Sequence, residues 1–382
     1  MELVAKCNAG LESVLAKELY VLGAENIRIG RRAVLFSGNN ALLYKANLYL
    51  RTAIKVLLPI SEFNANSYDE LYEKTRAIDW NCFFNPNLSF AIEPVVNSSI
   101  FTHSQFASLR VKDGIADYFR EKKGKHPSVN PENPDFKIIL TLFENRCSVG
   151  IDSSGDPLFK RGYRQMRGAA PIKEDLAAGM VLLSNYKGQF NLFDPFCGSG
   201  TIIAEAAMIA CNFPPNLYRE HFGFKNWSDY NPKEFLKIKK EAEEAIVPFK
   251  HFEFFASDIS SSAINATSNN LAFLNKFTTI NISVSDFFKN SNSLDGGILI
   301  TNPPYGERLQ LEESISFYKK IGDKLKSDYT GFDAWIISSN NEAMKHIGLK
   351  PSAKIQLYNG KLECSFRKYE LYRGSKKQKT DS

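Results

Sequence analysis

The chain has 382 residues, enough for two or three domains, with 43% hydrophobic residues, 24% charged residues and a formal net charge of +6. No apolar run approaches the roughly 18 residues a membrane span needs, and Glu2, Lys6, Glu12 and Lys17 interrupt the stretch where a signal peptide requires apolar residues, so a cytoplasmic protein is expected. Six cysteines without a CxxC pair and five histidines without HxH or HxxxH spacing predict reduced thiols and no metal site.

Residues 1–60 read as a small ferredoxin-like unit. A strand at 3–6 precedes a helix in which Leu11, Val14, Leu15, Leu19 and Leu22 recur at helical spacing, and Gly23 closes it. Extended runs at 26–29 and 33–36, a helix at 39–49 and an apolar run at 53–60 complete the unit. Residues 61–151 read as a second small domain: a helix at 68–78, a strand at 89–96, and a long helix at 104–120 with Phe106, Leu109, Ile115 and Phe119 on one side. A hairpin then runs from 136–143 through Glu144, Asn145 and Arg146 into 147–151.

Residues 152–170 form a linker. Asp152-Ser153-Ser154-Gly155-Asp156-Pro157 is turn chemistry. From 158 to 173 the basic residues Lys160, Arg161, Arg164, Arg167 and Lys173 occur without an acid, and with Tyr163 they either clamp a nucleic acid by phosphate pairing and stacking or brace two domains.

Residues 171–373 form the third region. A helix at 172–184 leads to an apolar strand ending at Asp194, a glycine turn, and a helix that Thr201 is expected to cap. An insertion at 212–250 follows. Strands ending at 258, 284, 301 and 338 then alternate with helices at 261–275 and 314–326, and a hairpin from 354–357 into 362–372 ends the order. Short apolar strands alternating with helices predict a mostly parallel sheet covered on both faces. Residues 374–382 read as a disordered basic tail.

The chemistry concentrates at 191–204, NLFDPFCGSGTIIA. Gly198 and Gly200 allow positive φ and close backbone approach. Ile203 stands where a dinucleotide fingerprint needs its third glycine, and no Gly-Lys-Ser/Thr follows, so the turn is neither that fingerprint nor a P-loop. Cys197 reads as a small packing side chain in the turn. About a hundred residues later stands Thr301-Asn302-Pro303-Pro304-Tyr305-Gly306-Glu307-Arg308. The pair DPFCGSGT and NPPYGERL resembles the class I S-adenosylmethionine-dependent amino-methyltransferases, which modify exocyclic nitrogens of nucleic-acid bases; Lys173-Glu174-Asp175-Leu176-Ala177 resembles the motif before their cofactor loop.

That resemblance implies roles at the carboxyl ends of successive strands, where open parallel sheets bind ligands. Asp194, Gly198 and Gly200 would accommodate the amino-acid portion of S-adenosyl-L-methionine, Asp258 would accept both ribose hydroxyls, and Asp286 the adenine amino group, with Phe287 as a ring contact. Asn302, facing the methyl group, and the Pro303 carbonyl would hold the target amine while Tyr305 stacks on the base. Any one of these acids alone reads more readily as a helix N-cap; three in this order reverse that and favour the cofactor site.

A second resemblance lies upstream. HSQFASLRVKDGIADYF at 103–119 and CSVGIDSSGDPLFKRGYR at 147–164 are similar to the THUMP domain of RNA-modifying enzymes, and the second is similar to the junction before the catalytic domain in bacterial 23S rRNA guanine-N2 methyltransferases. It implies RNA contact through Arg110, Lys112, Lys122 and Lys123, and through Lys160, Arg161, Tyr163, Arg164 and Arg167 of the linker. Interleaved Asp113, Asp117 and Glu121 also suit a merely solvated helix face. The expected fold is therefore α/β: a class I Rossmann-like methyltransferase domain preceded by an α+β ferredoxin-like plus THUMP region. The expected activity is methyl transfer to the exocyclic N2 of a guanine in RNA, with 23S rRNA or a ribosome-assembly intermediate as partner. A tRNA guanine-N2 methyltransferase, a DNA adenine-N6 methyltransferase and a non-catalytic RNA-binding factor are the alternatives.

Overall fold

Alternating burial along the first strand sets the architecture of the N-terminal part. In β1 (Glu2–Cys7), Leu3, Ala5 and Cys7 point into the core, as period-two side chains on a half-covered sheet must. The computed structural model describes residues 1–164, 172–292, 294–304 and 311–372; Arg167, Tyr305 and the 374–382 tail lie outside the described residues. After β1 come α1 (Glu12–Val21), β2 (Glu25–Gly30), β3 (Ala33–Ser37), α2 (Asn40–Tyr49) and β4 (Ala53–Asn64). Then follow α3 (Tyr68–Arg76), β5 (Phe90–Asn97), α4 (Ser104–Lys123), β6 (Phe136–Phe143) and β7 (Arg146–Asp152). These strands form one seven-stranded sheet, β2-β3-β1-β4-β7-β6-β5, in which β5 and β6 pair in parallel and the other neighbours pair antiparallel.

Local chemistry explains the helix ends here. The Asn39 side chain accepts the Leu42 N–H at 2.9 Å to cap α2, Ser67 caps α3 through Glu70, and Gly124, at φ 68°, stops α4 in the left-handed region. The buried face of α4 is Ala107, Val111, Gly114, Ile115, Tyr118 and Phe119, whereas Phe106 and Leu109 are 47% and 45% exposed. The expected stripe through Phe106 and Leu109 is thus wrong in its first half. Gly114 centres the true one: a Cβ there would lie 2.9 Å from the Tyr72 carbonyl of α3, so the two helices meet where a side chain is missing.

The later elements are α5 (Glu174–Leu183), β8 (Leu192–Asp194), α6 (Thr201–Ala210), α7 (Pro232–Glu244), β9 (Phe249–Asp258), α8 (Ser261–Leu271), β10 (Thr278–Val284), β11 (Gly297–Thr301), α9 (Leu311–Asp328), β12 (Phe332–Ser338), β13 (Ala353–Asn359) and β14 (Leu362–Glu370), and β8 to β14 form a second seven-stranded sheet. The order of this second sheet is β10-β9-β8-β11-β12-β14-β13. The first five strands run parallel, and β14 is antiparallel to both β12 and β13.

The chain divides into two compact units, and the division does not follow chain order. One holds Met1–Cys7, Leu15–Lys160 and Tyr218–Lys240; the other holds Asn8–Val14 and the described parts of the chain from Arg161 to Leu217 and from Glu241 onward. The middle of the insertion therefore belongs with the first sheet. Phe224 packs on Tyr44 with ring centroids 4.8 Å apart and on Phe222 at 5.2 Å, and the Arg219 guanidinium donates to the carbonyls of Ser154 and Pro157, each at 2.9 Å. Among the described residues, no helix is long and apolar enough to cross a membrane.

Candidate active site

Parallel strands all end on one edge of their sheet, so residues just past β8, β9, β10 and β11 gather although about a hundred positions separate them in sequence. They line a cleft of about 730 Å³, within the roughly 300–1,000 Å³ of small-molecule sites. Asp194, Gly198, Asp258, Asp286, Phe287 and Asn302 are all on its wall. The structure thus brings together most of the residues that the motifs nominated. Gly200 sits one layer behind them.

The floor is the strand-to-helix turn. Gly198 and Gly200 have φ of 55° and 79°, where a side chain is strained. A Cβ on Gly198 would meet nothing within 4 Å, so the loop is open above it, whereas on Gly200 it would lie 2.9 Å from Thr267 Cγ2. Gly200 rather than Thr201 is the N-cap of α6, which corrects the expected cap; the left-handed backbone that enters this helix suits glycine, and Thr201 is already its first residue.

Each acid has a distinct environment. Asp194 is buried and accepts from the Thr301 hydroxyl at 2.6 Å and the Phe196 N–H at 3.3 Å. Burial, reinforced by the nearby Asp258 charge, pushes its carboxyl up to about 7. Asp258 accepts the Gly198 N–H on one oxygen and the Ser260 N–H on the other, both at 3.0 Å. One lone pair per oxygen is left over, as recognition of a vicinal diol requires. Asp286 accepts the Phe288 N–H at 3.0 Å and lies 3.5 Å from the Lys289 ammonium. Phe287 is 5% exposed and packs on Phe196 and Tyr329 at 5.2 and 5.7 Å, so its ring fills the core as much as it faces the cleft.

Asn302 is the anomaly. Its side-chain oxygen is shielded from solvent and has no hydrogen-bond partner among the described residues. A buried amide oxygen left unpaired costs on the order of 1–3 kcal/mol, and such an oxygen on the wall of a cleft is set to accept from a ligand. Pro303 is buried beside it and Pro304 lines the cleft. Cys197 is buried 3.6 Å from the Thr267 hydroxyl, and burial pushes its thiol well up, so it supplies no thiolate at neutral pH.

Comparison with known proteins decides the family. A family described as RMKL-like, methyltransferase domain, matches residues 161–368; the THUMP domain matches 65–152 and the RlmL ferredoxin-like domain matches 2–57. The chain belongs to the RMKL-like methyltransferase family. It is 34% identical, over 95% of both chains, to slr0064 of Synechocystis sp., which is named as a candidate RNA methyltransferase. It is also 34% identical to the ribosomal RNA large subunit methyltransferase K/L of Marinomonas sp., over 97% of this chain but 53% of that protein, so it spans about half the length of the K/L relatives. Among solved structures, SMU.472, described as a candidate methyltransferase complexed with SAH, superposes with a TM-score of 0.87 at 28% identity, covering 98% of this chain and 99% of that one. S-adenosyl-L-methionine is the methyl donor of this methyltransferase. The open backbone over Gly198, the spare lone pairs of Asp258 and the unpaired Asn302 oxygen fit that cofactor and its acceptor.

The basic residues of the methyltransferase fall into two groups. Arg161 is buried with its guanidinium 3.4 Å from Glu205, which is itself fully buried. Tyr163 donates to the same carboxylate at 3.3 Å and stacks on Phe273 at 5.6 Å. Arg164 donates to the Thr201 hydroxyl at 2.7 Å and the Ile172 carbonyl at 2.9 Å, and faces Glu174 at 3.4 Å. The expectation that Arg161, Tyr163 and Arg164 contact RNA is therefore corrected: Glu205, Thr201, Ile172 and Glu174 engage them inside the second unit, and these contacts tie the chain from 161 to 164 to α5 and α6. Arg110 pairs with Asp69 at 2.7 Å and lies 4.6 Å over the Tyr72 ring, and Lys112 pairs with Asp113 at 2.7 Å. Lys160 is exposed beside Asp156 at 3.1 Å, and Lys122 and Lys123 are exposed in the last turn of α4. Sequence reasoning missed Thr301, Thr267 and Asn270; the signal was there, since 264, 267, 270 and 271 share one helix face and two of the four are polar.

Proposed function

We propose that the chain methylates the exocyclic N2 of a guanine in RNA, with 23S rRNA, free or in a ribosome-assembly intermediate, as its substrate. The observation that carries this reading is the unpaired, shielded Asn302 oxygen on the cleft wall. An exocyclic guanine amine is a poor nucleophile because its lone pair is delocalised into the ring. Donating its two N–H groups to Asn302 Oδ1 and the Pro303 carbonyl localises that pair and aims it. The bound cofactor supplies an electrophilic methyl on a sulfonium whose leaving group is a neutral thioether, so no acid is needed. The amine lone pair forms the new N–C bond as the C–S bond breaks, and the excess proton leaves the product amine for solvent. Positioning and electrostatics then account for most of the rate. Two prolines stiffen the Asn302 loop, and Asp194, bonded to Thr301, fixes the strand end from which that loop departs.

A guanine stacked in a helix cannot enter such a cleft, so the target is unpaired or flipped, at a cost of roughly a few kcal/mol. The THUMP match, the exposed Lys122 and Lys123 and the names of the relatives support RNA as the polymer. The test is incubation of the full chain with labelled S-adenosylmethionine and, separately, hypomethylated rRNA and tRNA, followed by nucleoside analysis. N2-methylguanosine from rRNA is expected. Label in N6-methyladenosine, or in tRNA alone, would overturn the reading.

A further inference from the structure

Two polar side chains of α8 are buried where an amphipathic helix puts apolar ones. Thr267 and Asn270, on the face shared with Ile264 and Leu271, are fully buried. Buried polar groups are tolerated when bonded, and these bond to the cofactor loop. The Thr267 hydroxyl donates to the Gly198 carbonyl at 2.8 Å, and the Asn270 amide donates to the Ser199 carbonyl at 3.0 Å. Thr267 also lies 3.6 Å from Cys197 Sγ, and its methyl occupies the space a Cβ on Gly200 would need. One threonine thus touches three of the four residues from 197 to 200.

We infer that Thr267 and Asn270 are positioning residues of the cofactor site, fixing the peptide planes of the glycine loop so that it meets S-adenosylmethionine in one conformation. Gly198 and Gly200 are both in the left-handed region, and glycine carries no side chain to keep it there. The loop holds one peptide by itself, the Gly200 N–H donating to the Cys197 carbonyl at 2.8 Å, while its Gly198 and Ser199 carbonyls are held from outside. The Gly198 and Ser199 carbonyls belong to consecutive peptides, and α8 holds both. In a trans peptide the N–H opposes the carbonyl, so this anchoring turns the Ser199 N–H away from α8. The opposite edge of the loop is tied by β9: Asp258 accepts the Gly198 N–H, and the Ser257 carbonyl accepts the Cys197 N–H at 3.0 Å. Strand β9 and helix α8 are consecutive, so a single βα unit both presents the ribose-facing carboxylate and shapes the loop beside it.

The inference rests on S-adenosylmethionine as cofactor, not on the identity of the methylated base. Its test is calorimetric binding of S-adenosylmethionine to the full chain carrying Thr267→Val, which keeps the shape and removes the hydroxyl, with Thr267→Ser as rescue and Thr267→Ala as a smaller alternative. The valine variant is expected to bind about tenfold more weakly, the loss one buried hydrogen bond produces, and the serine variant within about twofold of the parent. KM for S-adenosylmethionine is expected to rise with Kd while RNA affinity stays unchanged. Failure of the parent chain to bind S-adenosylmethionine would remove the cofactor reading itself. Parent-like binding by either folded variant lacking the hydroxyl would overturn the inference alone, as would a serine variant no better than valine.

Discussion

Five neighbouring strands of the second sheet run parallel and deliver Asp194, Asp258, Asp286 and Asn302 to one edge, whereas the first sheet, also seven-stranded, has a single parallel pair, and its exposed charges are spread over strands and helices alike. Parallel strands converge by construction, because every crossover returns the chain to the same end. Antiparallel strands end alternately on both edges and gather nothing. The first unit therefore offers a surface, suited to a polyanion read by its backbone, and the second a cleft, suited to one small molecule and one base.

The largest effect should come from the cleft. Asn302→Ala removes a cleft-wall acceptor that has no partner among the described residues, and single-turnover methyl transfer is expected to fall about 10²–10³-fold or more. Affinity for S-adenosylmethionine and for RNA should stay within about threefold. Collapse of cofactor binding instead would mean that Asn302 holds the donor rather than the acceptor.

Charge buried in the catalytic unit should behave unlike charge on the first. Arg161→Met leaves the buried Glu205 carboxyl without its guanidinium partner, a loss of about 3–5 kcal/mol on denaturant unfolding. RNA affinity per folded molecule should not change. A stable Arg161→Met that no longer binds RNA would restore the clamp reading. Asp194 gives a pH-dependent counterpart. Its folded carboxyl is raised from 3.8 to about 7, so the native state keeps a proton that the unfolded chain releases. The stability this confers is complete below about pH 4 and is lost as pH rises through about 7. Asp194→Asn lacks the slope, and unfolding free energies at pH 5 and pH 8 should differ by a few kcal/mol less in the variant than in the parent; parallel profiles would refute the raised carboxyl.

The same contrast governs what could be read from sequence. DPFCGSGT and NPPY located the cleft because backbone geometry and chemistry coincide at those motifs: Gly198 and Gly200 carry the positive φ, and Asn302 the free acceptor. Strand ends at Asp258 and Thr301 were likewise legible from short apolar runs. Composition could not say whether an arginine is solvated. Arg161 and Lys160 are adjacent in a basic run, yet one is fully buried against a carboxylate 44 positions away and the other is exposed. Nor could periodicity reveal that Gly114 would draw α3 onto α4 and rotate the apolar face away from Phe106, or that α8 would spend a threonine and an asparagine on a distant loop.

The smallest effect belongs to the open surface. Lys122 and Lys123 are exposed at the end of α4, Lys122 bringing its charge near Asp79, so in a double alanine variant unfolding and S-adenosylmethionine affinity should stay close to the parent's. Each phosphate contact releases counterions, so removing two should lower the log–log slope of RNA affinity against salt by roughly 1 to 2 and weaken binding several-fold at low salt. Arg110→Ala should lower the slope less, because that guanidinium is already engaged by Asp69 and the Tyr72 ring. An unchanged slope in the double lysine variant, with a large drop for Arg110→Ala, would invert the ranking and place the RNA path across the middle of α4 rather than its end.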